Sequence, residues 1–267
     1  MYHFYAFSTG LPTRKYCESE AFIEILSADS NPRVIDVGGN IGWYSLLSAS
    51  NGAKVDVFEP NEFNYLRTCE SICINNWMDE SCGHFGDLSV EGSNRNGRVS
   101  IYPVGVGRQE EIVAFDTGSK TNHNPGQGKI IRSGFLENKN TIKIVPLDLL
   151  ASRLGWYSTD ISILKVDVEG FEYDVFQGAR KFLNSKRAKN IFMEGNVGSS
   201  YQQTQFKELV QLLDQAGYRI YRIGGFAGPT ESNVPPMGDD IAEKLTNQCS
   251  EGKNKKRSQC NLWWKVK

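Results

Sequence analysis

This 267-residue chain lacks several sequence features that are typical of membrane proteins, metal-binding proteins and nucleic-acid-binding proteins. No stretch approaches the ~20 apolar residues that a transmembrane helix needs, and residues 1–10 lack the basic start and apolar run of a signal peptide. The six cysteines form no C-x-x-C pair, so no metal site is expected, and no N-x-S/T sequence occurs. A net charge of −1 argues against a broad basic face for duplex nucleic acid. These absences favour a cytoplasmic protein that neither spans a membrane nor binds nucleic acid.

The apolar pattern alternates between short strands and helices along most of the chain. Strands are predicted at 34–37, 55–58, 99–106, 161–168, 190–193, 218–223 and 262–266. Helices are predicted at about 43–50, after Asn61, after Val168 and at 205–215. This alternation is typical of a Rossmann-like α/β fold with a mostly parallel, seven-stranded sheet and helices on both faces. We expect a single domain over 1–267, with its core at about 32–223.

The pattern also gives expectations for one helix, for two irregular segments and for a pair of cysteines. The helix after Asn61 is predicted to bury one face, formed by Phe63, Leu66, Cys69, Ile72 and Cys73. The polar insertion at 116–140 and the irregular tail at 224–260 fall outside the alternation. Loops of this length are usually functional lids or disordered segments. The spacing leaves open whether Cys249 and Cys260 form a disulfide.

The most informative segment is the glycine-rich turn at 36–42, which reads Asp-Val-Gly-Gly-Asn-Ile-Gly. Glycine allows a tight turn and a close approach to a ligand, and the helix after it offers free N–H groups to an anion. The dinucleotide fingerprint counted from Gly38 needs glycine at 40 and 43, but the chain has Asn40 and Trp43. Asp36 would repel a pyrophosphate and attract a cation such as S-adenosylmethionine, which carries an ammonium and a sulfonium. The predicted cofactor-binding residues of the turn are Asp36, Gly38, Gly39, Asn40 and Gly42.

Two further carboxylate positions end predicted strands at the same edge of the sheet. Glu59 follows the second strand, where a carboxylate accepts hydrogen bonds from ribose hydroxyls. Asp167 and Glu169 end the fourth strand, at the edge where open α/β sheets bind ligands. Lone buried carboxylates are costly, so we expect these acids to meet a substrate or the cofactor's amino group. The alternative for Glu169 is a cap on the next helix.

These segments together resemble the FkbM-type methyltransferases. The resemblance rests on the turn at 34–45, Phe58-Glu59-Pro60, the Val-Pro-Leu-Asp-Leu-Leu sequence at 145–150, and the Leu-Lys-Val-Asp-Val-Glu-Gly block at 164–170 followed by Gly178-Ala179. It implies a class I methyltransferase fold, S-adenosylmethionine as the methyl donor, and O-methylation of a sugar or a natural-product hydroxyl. The partner is then a small-molecule or glycan acceptor. The insertion and the tail depart from the family, so the family's substrates do not carry over.

The residue that takes the acceptor's proton is expected among three groups. Asp167 is the first candidate, followed by Glu169 and by His123 in the polar insertion. Asp167 is also a candidate ligand for the cofactor's ammonium. Two other functions remain open on the sequence: a nicotinamide-dependent oxidoreductase, which Asn40 and Trp43 disfavour, and a catalytically silent cofactor-binding module.

Overall fold

A computed structural model describes residues 13–77, 98–117, 128–131, 140–223, 242–244, 246 and 259–267. Its helices are α1 (Thr13–Ser27), α2 (Trp43–Ser50), α3 (Glu62–Ile74), α4 (Leu147–Arg153), α5 (Glu172–Gln177), α6 (Arg180–Asn184) and α7 (Ser200–Gln215). Its strands are β1 (Arg33–Val37), β2 (Lys54–Phe58), β3 (Val99–Tyr102), β4 (Gly105–Gly107), β5 (Glu111–Asp116), β6 (Lys129–Ile131), β7 (Thr141–Pro146), β8 (Ile161–Val166), β9 (Ala188–Asn196), β10 (Tyr218–Ile223) and β11 (Gln259–Val266). Within these ranges, no helix combines the length and the apolar character that crossing a bilayer requires.

The central sheet has seven strands in the order β10-β11-β9-β8-β1-β2-β3. β11 runs antiparallel to both of its neighbours, and the pairs from β9 to β3 are parallel. The order reverses at β1, between β2 and β8, so the carboxyl ends of these three strands open a crevice. The predicted mostly parallel, seven-stranded α/β sheet is therefore confirmed.

Alternate residues of the central strands are buried on opposite faces of the sheet. Ile35 and Leu164 belong to a core that contains residues of α4 to α7, while Val34 and Ile163 belong to a core that contains residues of α1 and α2. Every residue of β8 is buried. Helices therefore cover both faces, which is why β8 reads as an almost continuous apolar run.

A second sheet is the main feature that the sequence did not predict. Its four strands lie in the order β4-β7-β5-β6, and β6 falls inside the segment that was predicted to be an irregular insertion. The predicted third strand at 99–106 is also wrong, because it is two strands in different sheets. Pro103 stands between them and has no N–H to continue a ladder.

Two helical predictions are corrected by the packing. The single helix expected after Val168 is divided into α5 and α6 at Gly178. A side chain at Gly178 would lie 2.0 Å from the carbonyl oxygen of Gly107, so α5 ends where its backbone meets β4. Asp148 caps the new helix, since its carboxylate accepts hydrogen bonds from the N–H groups of Lys181 (3.1 Å) and Phe182 (2.8 Å).

The predicted apolar face of α3 is only partly correct, since Ile72 is buried and Cys69 packs against the core but the other three positions are exposed. Asn61 caps this helix as expected, accepting a hydrogen bond from the N–H of Phe63. Phe63 and Leu66 are exposed and so is Cys73, whereas the buried positions are Asn64, Tyr65, Thr68 and Ile72. Polar residues face inward here because the hydroxyl of Thr68 donates to the carbonyl of Asn40 in the glycine-rich turn.

Candidate active site

A cavity of about 420 Å³ lies at the carboxyl edge of the central sheet. Its polar side is formed by the turn after β1, by Glu59 after β2, and by Lys165, Asp167 and Glu169 at the end of β8. Its apolar side is one face of the second sheet, with Phe115, Ile130, Ile142 and Ile144. The predicted residues from three separate strands therefore meet around one cavity, at the place where open α/β sheets bind ligands.

Gly38 lies where the turn after β1 crosses the end of β8. Its φ of +80° lies in the left-handed region, and a side chain there would be 1.9 Å from the carbonyl oxygen of Asp167. The N–H of Gly38 donates to Phe58 (2.9 Å), and the N–H of Asp167 donates to Val37 (3.0 Å). Glycine at 38 is thus required by its left-handed backbone and by the close contact between the two loops.

Gly39 and Gly42 are also fixed by packing. A side chain at Gly39 would lie 2.4 Å from Val57 on β2, and one at Gly42 would lie 2.7 Å from Thr68 on α3. Gly42 precedes α2 with a φ of +85°, and no side chain caps the first turn of that helix. The N-terminus of α2 therefore presents backbone N–H groups beside the cavity, which Trp43 and Tyr44 also line.

The carboxylate of Glu59 holds the turn against β2. One oxygen accepts a hydrogen bond from the N–H of Asn40 (2.8 Å), and the other accepts one from the N–H of Asn61 (2.8 Å). Burial raises the pKa of Glu59, while these N–H groups lower it. A carboxylate has about four acceptor positions, and the side chain of Asn64 donates to Glu59 as well, so one acceptor position remains on this residue, which lines the cavity.

Asp36 occupies a different place from the one that the sequence suggested. It is fully buried, and it does not line the cavity. Its oxygens accept hydrogen bonds from the ammonium of Lys165 (3.1 Å) and the hydroxyl of Ser45 (2.5 Å). The expectation that Asp36 offers a free negative charge to a cationic ligand is therefore corrected: Lys165 neutralises that charge inside the protein.

The loop after β8 brings Asp167 and Glu169 to the cavity. The side chain of Asp167 is 44% exposed, and that of Glu169 is exposed on a left-handed backbone with a φ of +53°. Glu172, which the sequence did not single out, holds this loop. One of its oxygens accepts hydrogen bonds from the N–H groups of Val168 (3.1 Å) and Gly170 (3.2 Å), and the other accepts one from the side-chain amide of Asn196 (3.2 Å).

Burial raises the pKa of Glu172 to about 7, because the loss of hydration outweighs the backbone hydrogen bonds that favour its charged form. Carboxylate oxygens of Asp167, Glu172 and Glu194 lie within 4.8 Å of one another. Glu194, on β9, therefore lies at the same edge of the sheet as Asp167. Both oxygens of Glu172 already accept hydrogen bonds from the protein. The position of Glu172 in this cluster is therefore explained by its support of the loop after β8.

One prediction and one open question fall on residues outside the described ranges. His123, the third candidate for proton acceptance, lies in the segment 118–127. Cys249 lies in the segment 247–258, so a disulfide with Cys260, which the spacing left open, also falls outside the described residues.

The sequence reasoning missed Lys165 and the contacts of α1. Lys165 lies on a strand whose residues are all buried, and a charged residue in such a strand was a usable signal. α1 contacts α2 through hydrogen bonds from Tyr44 to Glu18 (2.5 Å) and from Trp43 to Ser19 (3.3 Å). These bonds fix two of the aromatic residues that line the cavity, and the sequence had no pattern that joined α1 to α2.

The family comparison agrees with this site. A model of the methyltransferase FkbM domain matches residues 36–220. Since this range covers more than half of the chain, the protein belongs to the FkbM methyltransferase family and is an S-adenosylmethionine-dependent methyltransferase. This membership removes the nicotinamide-dependent oxidoreductase from consideration. No curated protein sequence is significantly similar to the chain.

Several solved structures are similar at low identity. A SAM-dependent methyltransferase from Agrobacterium tumefaciens has 10% identity and a TM-score of 0.45, over 97% of this chain and 64% of that one, slightly less than two thirds of its length. An rRNA methylase from Streptococcus thermophilus has 10% identity and a TM-score of 0.48, over 96% and 98% of the two chains. SMU.1697c of Streptococcus mutans, solved in complex with SAH, has 12% identity and a TM-score of 0.45, over 97% and 100%. None of these similarities indicates the acceptor of this chain.

Proposed function

We propose that this protein methylates a hydroxyl group of a sugar or a small natural product and that Asp167 accepts the hydroxyl proton. The observation that carries the proposal is the position of Asp167. Its backbone touches Gly38 of the glycine-rich turn, and its half-exposed carboxylate lines the cavity. One carboxylate is thus adjacent both to the segment that would hold the cofactor and to the space open to an acceptor.

The cavity fits S-adenosylmethionine in size and in the chemistry of its walls. Its volume of about 420 Å³ falls in the range of roughly 300–1,000 Å³ that is usual for small-ligand sites. Gly38 and Gly39 leave room for close approach of the ligand, and the uncapped N-terminus of α2 suits the carboxylate of the methionine moiety. Glu59 has an acceptor position for a ribose hydroxyl.

The second sheet has a place in this arrangement too. β3 pairs with β2, and β4 begins at Gly105 only three residues after β3 ends. If Glu59 holds the ribose, the adenine would find an apolar wall in the same cavity, formed by Gly105 and the side chains of Ile142 and Ile144. Such a wall suits a planar base.

When bound, S-adenosylmethionine supplies an electrophilic methyl group on a sulfonium, which departs as a neutral thioether once an acceptor oxygen has taken the methyl. The work of the protein is then to orient the acceptor and to remove its proton. A carboxylate oxygen of Asp167 takes the hydroxyl proton as the new carbon–oxygen bond forms, which raises the nucleophilicity of that oxygen. Glu169 is the second candidate for this role, since it lines the same cavity.

Turnover with a panel of acceptors tests the proposal. The protein is incubated with S-adenosylmethionine and, in separate reactions, with sugars, a glycan mixture, small natural products and structured RNA. Mass spectrometry measures S-adenosylhomocysteine and locates the new methyl group. We expect an O-methylated sugar or small molecule. N-methylation, or methylation of RNA alone, contradicts the proposal, and cofactor binding without turnover in any reaction supports the silent module.

A further inference from the structure

Lys165 holds one of the most buried charges in the described part of the protein. Its side chain is 8% exposed on β8, a strand that is buried along its whole length. A charged amine in such a position is costly unless partners surround it. The partners of Lys165 are therefore informative about what the residue does.

The ammonium of Lys165 contacts three different parts of the site. Its Nζ lies 3.1 Å from Oδ1 of Asp36 at the end of β1, 3.2 Å from the carbonyl oxygen of Gly38, and 3.8 Å from Oδ2 of Asp167. The ring centroid of Tyr44 lies 5.4 Å from Nζ. The first two oxygens accept hydrogen bonds from the ammonium, and the carboxylate of Asp167 forms a longer ion pair with it.

Burial by itself lowers the pKa of Lys165, but the negative charges of Asp36, Asp167 and Glu18 together raise it to about 12. The ammonium is therefore charged at neutral pH. Asp36 extends the network through the hydrogen bond that it accepts from Ser45 on α2. Lys165 thus joins the turn after β1, the helix behind it and the loop after β8.

We propose that Lys165 is a positioning residue that fixes the glycine-rich turn and the Asp167 carboxylate relative to each other. The oxygen of Gly38 and the carboxylate of Asp167 belong to two loops, and both loops line the cavity. The ammonium of Lys165 lies between these two groups, so it sets their separation before any ligand binds. Preorganisation of this kind improves binding because the cost of ordering the loops is met during folding. The inference rests on cofactor use by the family, and it holds for any acceptor.

The competing explanation is that Lys165 serves only to neutralise Asp36. Changing Lys165 alone cannot separate the two, because it leaves a buried carboxylate without its partner, which is strongly destabilising. The double variant Lys165→Met, Asp36→Asn removes both charges with little change in side-chain size. Its matched control is Lys189→Met, Asp160→Asn, which removes an exposed lysine–aspartate pair at 3.2 Å beside the start of β8, where Asp160 also pairs with Arg187 at 3.0 Å.

Two measurements on the full chain test the proposal. Calorimetry gives the Kd for S-adenosylmethionine, and hydrogen–deuterium exchange reports the opening of 38–42 and 167–171 without ligand. For the double variant we expect a Kd about tenfold higher or more, in line with the loss of charged hydrogen bonds, and faster exchange in both segments. The control should match the wild type. A Kd within twofold of the wild type in a folded double variant overturns the proposal.

Lys165→Arg keeps the test decisive if the double variant does not fold. It retains a charge beside Asp36 but presents it on a planar fork, which does not match the three directions of an ammonium. We expect folded protein with a raised Kd, and an unchanged Kd overturns the proposal. Failure of the proposed O-methylation would appear in the wild type as methylation of nitrogen, as methylation of RNA alone or as absent turnover, and it would leave these binding results intact.

Discussion

Glu59 provides the sharpest test of where the cofactor lies. In the variant Glu59→Gln, the side chain keeps its size and one carbonyl oxygen, but an amide NH2 replaces the second oxygen. In the wild type, the backbone N–H groups of Asn40 and Asn61 each donate a hydrogen bond to one oxygen of Glu59. In the variant, one of these two N–H groups faces the amide NH2, which cannot accept its hydrogen bond. Loss of a charged hydrogen bond costs about 1.5–3 kcal/mol, so the free energy of unfolding should fall by about that amount and leave the protein folded. If the carboxylate also binds the ribose, the Kd for S-adenosylmethionine should rise by roughly 10- to 150-fold.

Urea unfolding and calorimetry on the same samples separate the two effects. Glu62→Gln is the matched control, because Glu62 is an exposed residue in the first turn of α3 and does not line the cavity. It should leave both quantities near their wild-type values. A lower free energy of unfolding with an unchanged Kd would show that Glu59 only organises the turn, and it would refute the assignment of the ribose.

Three further predictions concern other parts of the molecule. Asp167→Asn should lower turnover by roughly 10²–10⁴-fold while the Kd for S-adenosylmethionine changes much less; a parallel loss of both makes Asp167 a cofactor ligand, and no change in either removes it from the site. Because the pKa of Glu172 is raised to about 7 in the folded protein, its contribution to stability is present below pH 4.5 and is lost as the pH rises through 7. Glu172→Gln should therefore remove about 3 kcal/mol of the pH dependence of the free energy of unfolding, and identical urea curves against pH for both proteins would contradict this. Asp148→Ala leaves the N–H groups at the start of α6 without their cap, so it should lower the free energy of unfolding by about 1–2 kcal/mol. The control is Asp116→Ala, which changes an exposed residue at the end of β5.

The predicted positions of the site residues agree with the structure where each residue lies at the end of one strand. The alternation of β1, β2 and β8 with helices placed Gly38, Glu59 and Asp167 at the same edge of the sheet, and the structure gathers them around one cavity. Parallel strands joined by helices leave little freedom for this result, since strands that run in the same direction have their carboxyl ends at the same edge of the sheet. Whether these residues bind the cofactor and act in catalysis stays a prediction.

Other parts of the prediction failed because their pattern depends on a distant partner. The face of α3 is a clear case: its apolar spacing suggested that Phe63 and Leu66 are buried, but Asn64 and Thr68 face inward instead. The helix turns this way because Thr68 donates a hydrogen bond to a carbonyl in the turn after β1. Local periodicity does not contain such a contact.

The sequence by itself determined the fold class, the order of most strands along the chain and the placement of carboxylates at strand ends. These features depend on hydrophobic periodicity and on the few residues that permit a tight turn. Only the tertiary structure decided how the charges are paired. Asp36 looked like a free anion for a cationic ligand, yet Lys165, 129 positions away, neutralises it and contacts Gly38 as well. The second sheet, whose apolar face completes the cavity, was decided at the same level. Burial makes an unpaired charge costly, so each buried charge needs a partner. The packing of strands that are distant in the sequence determines that partner, and local sequence patterns do not predict it.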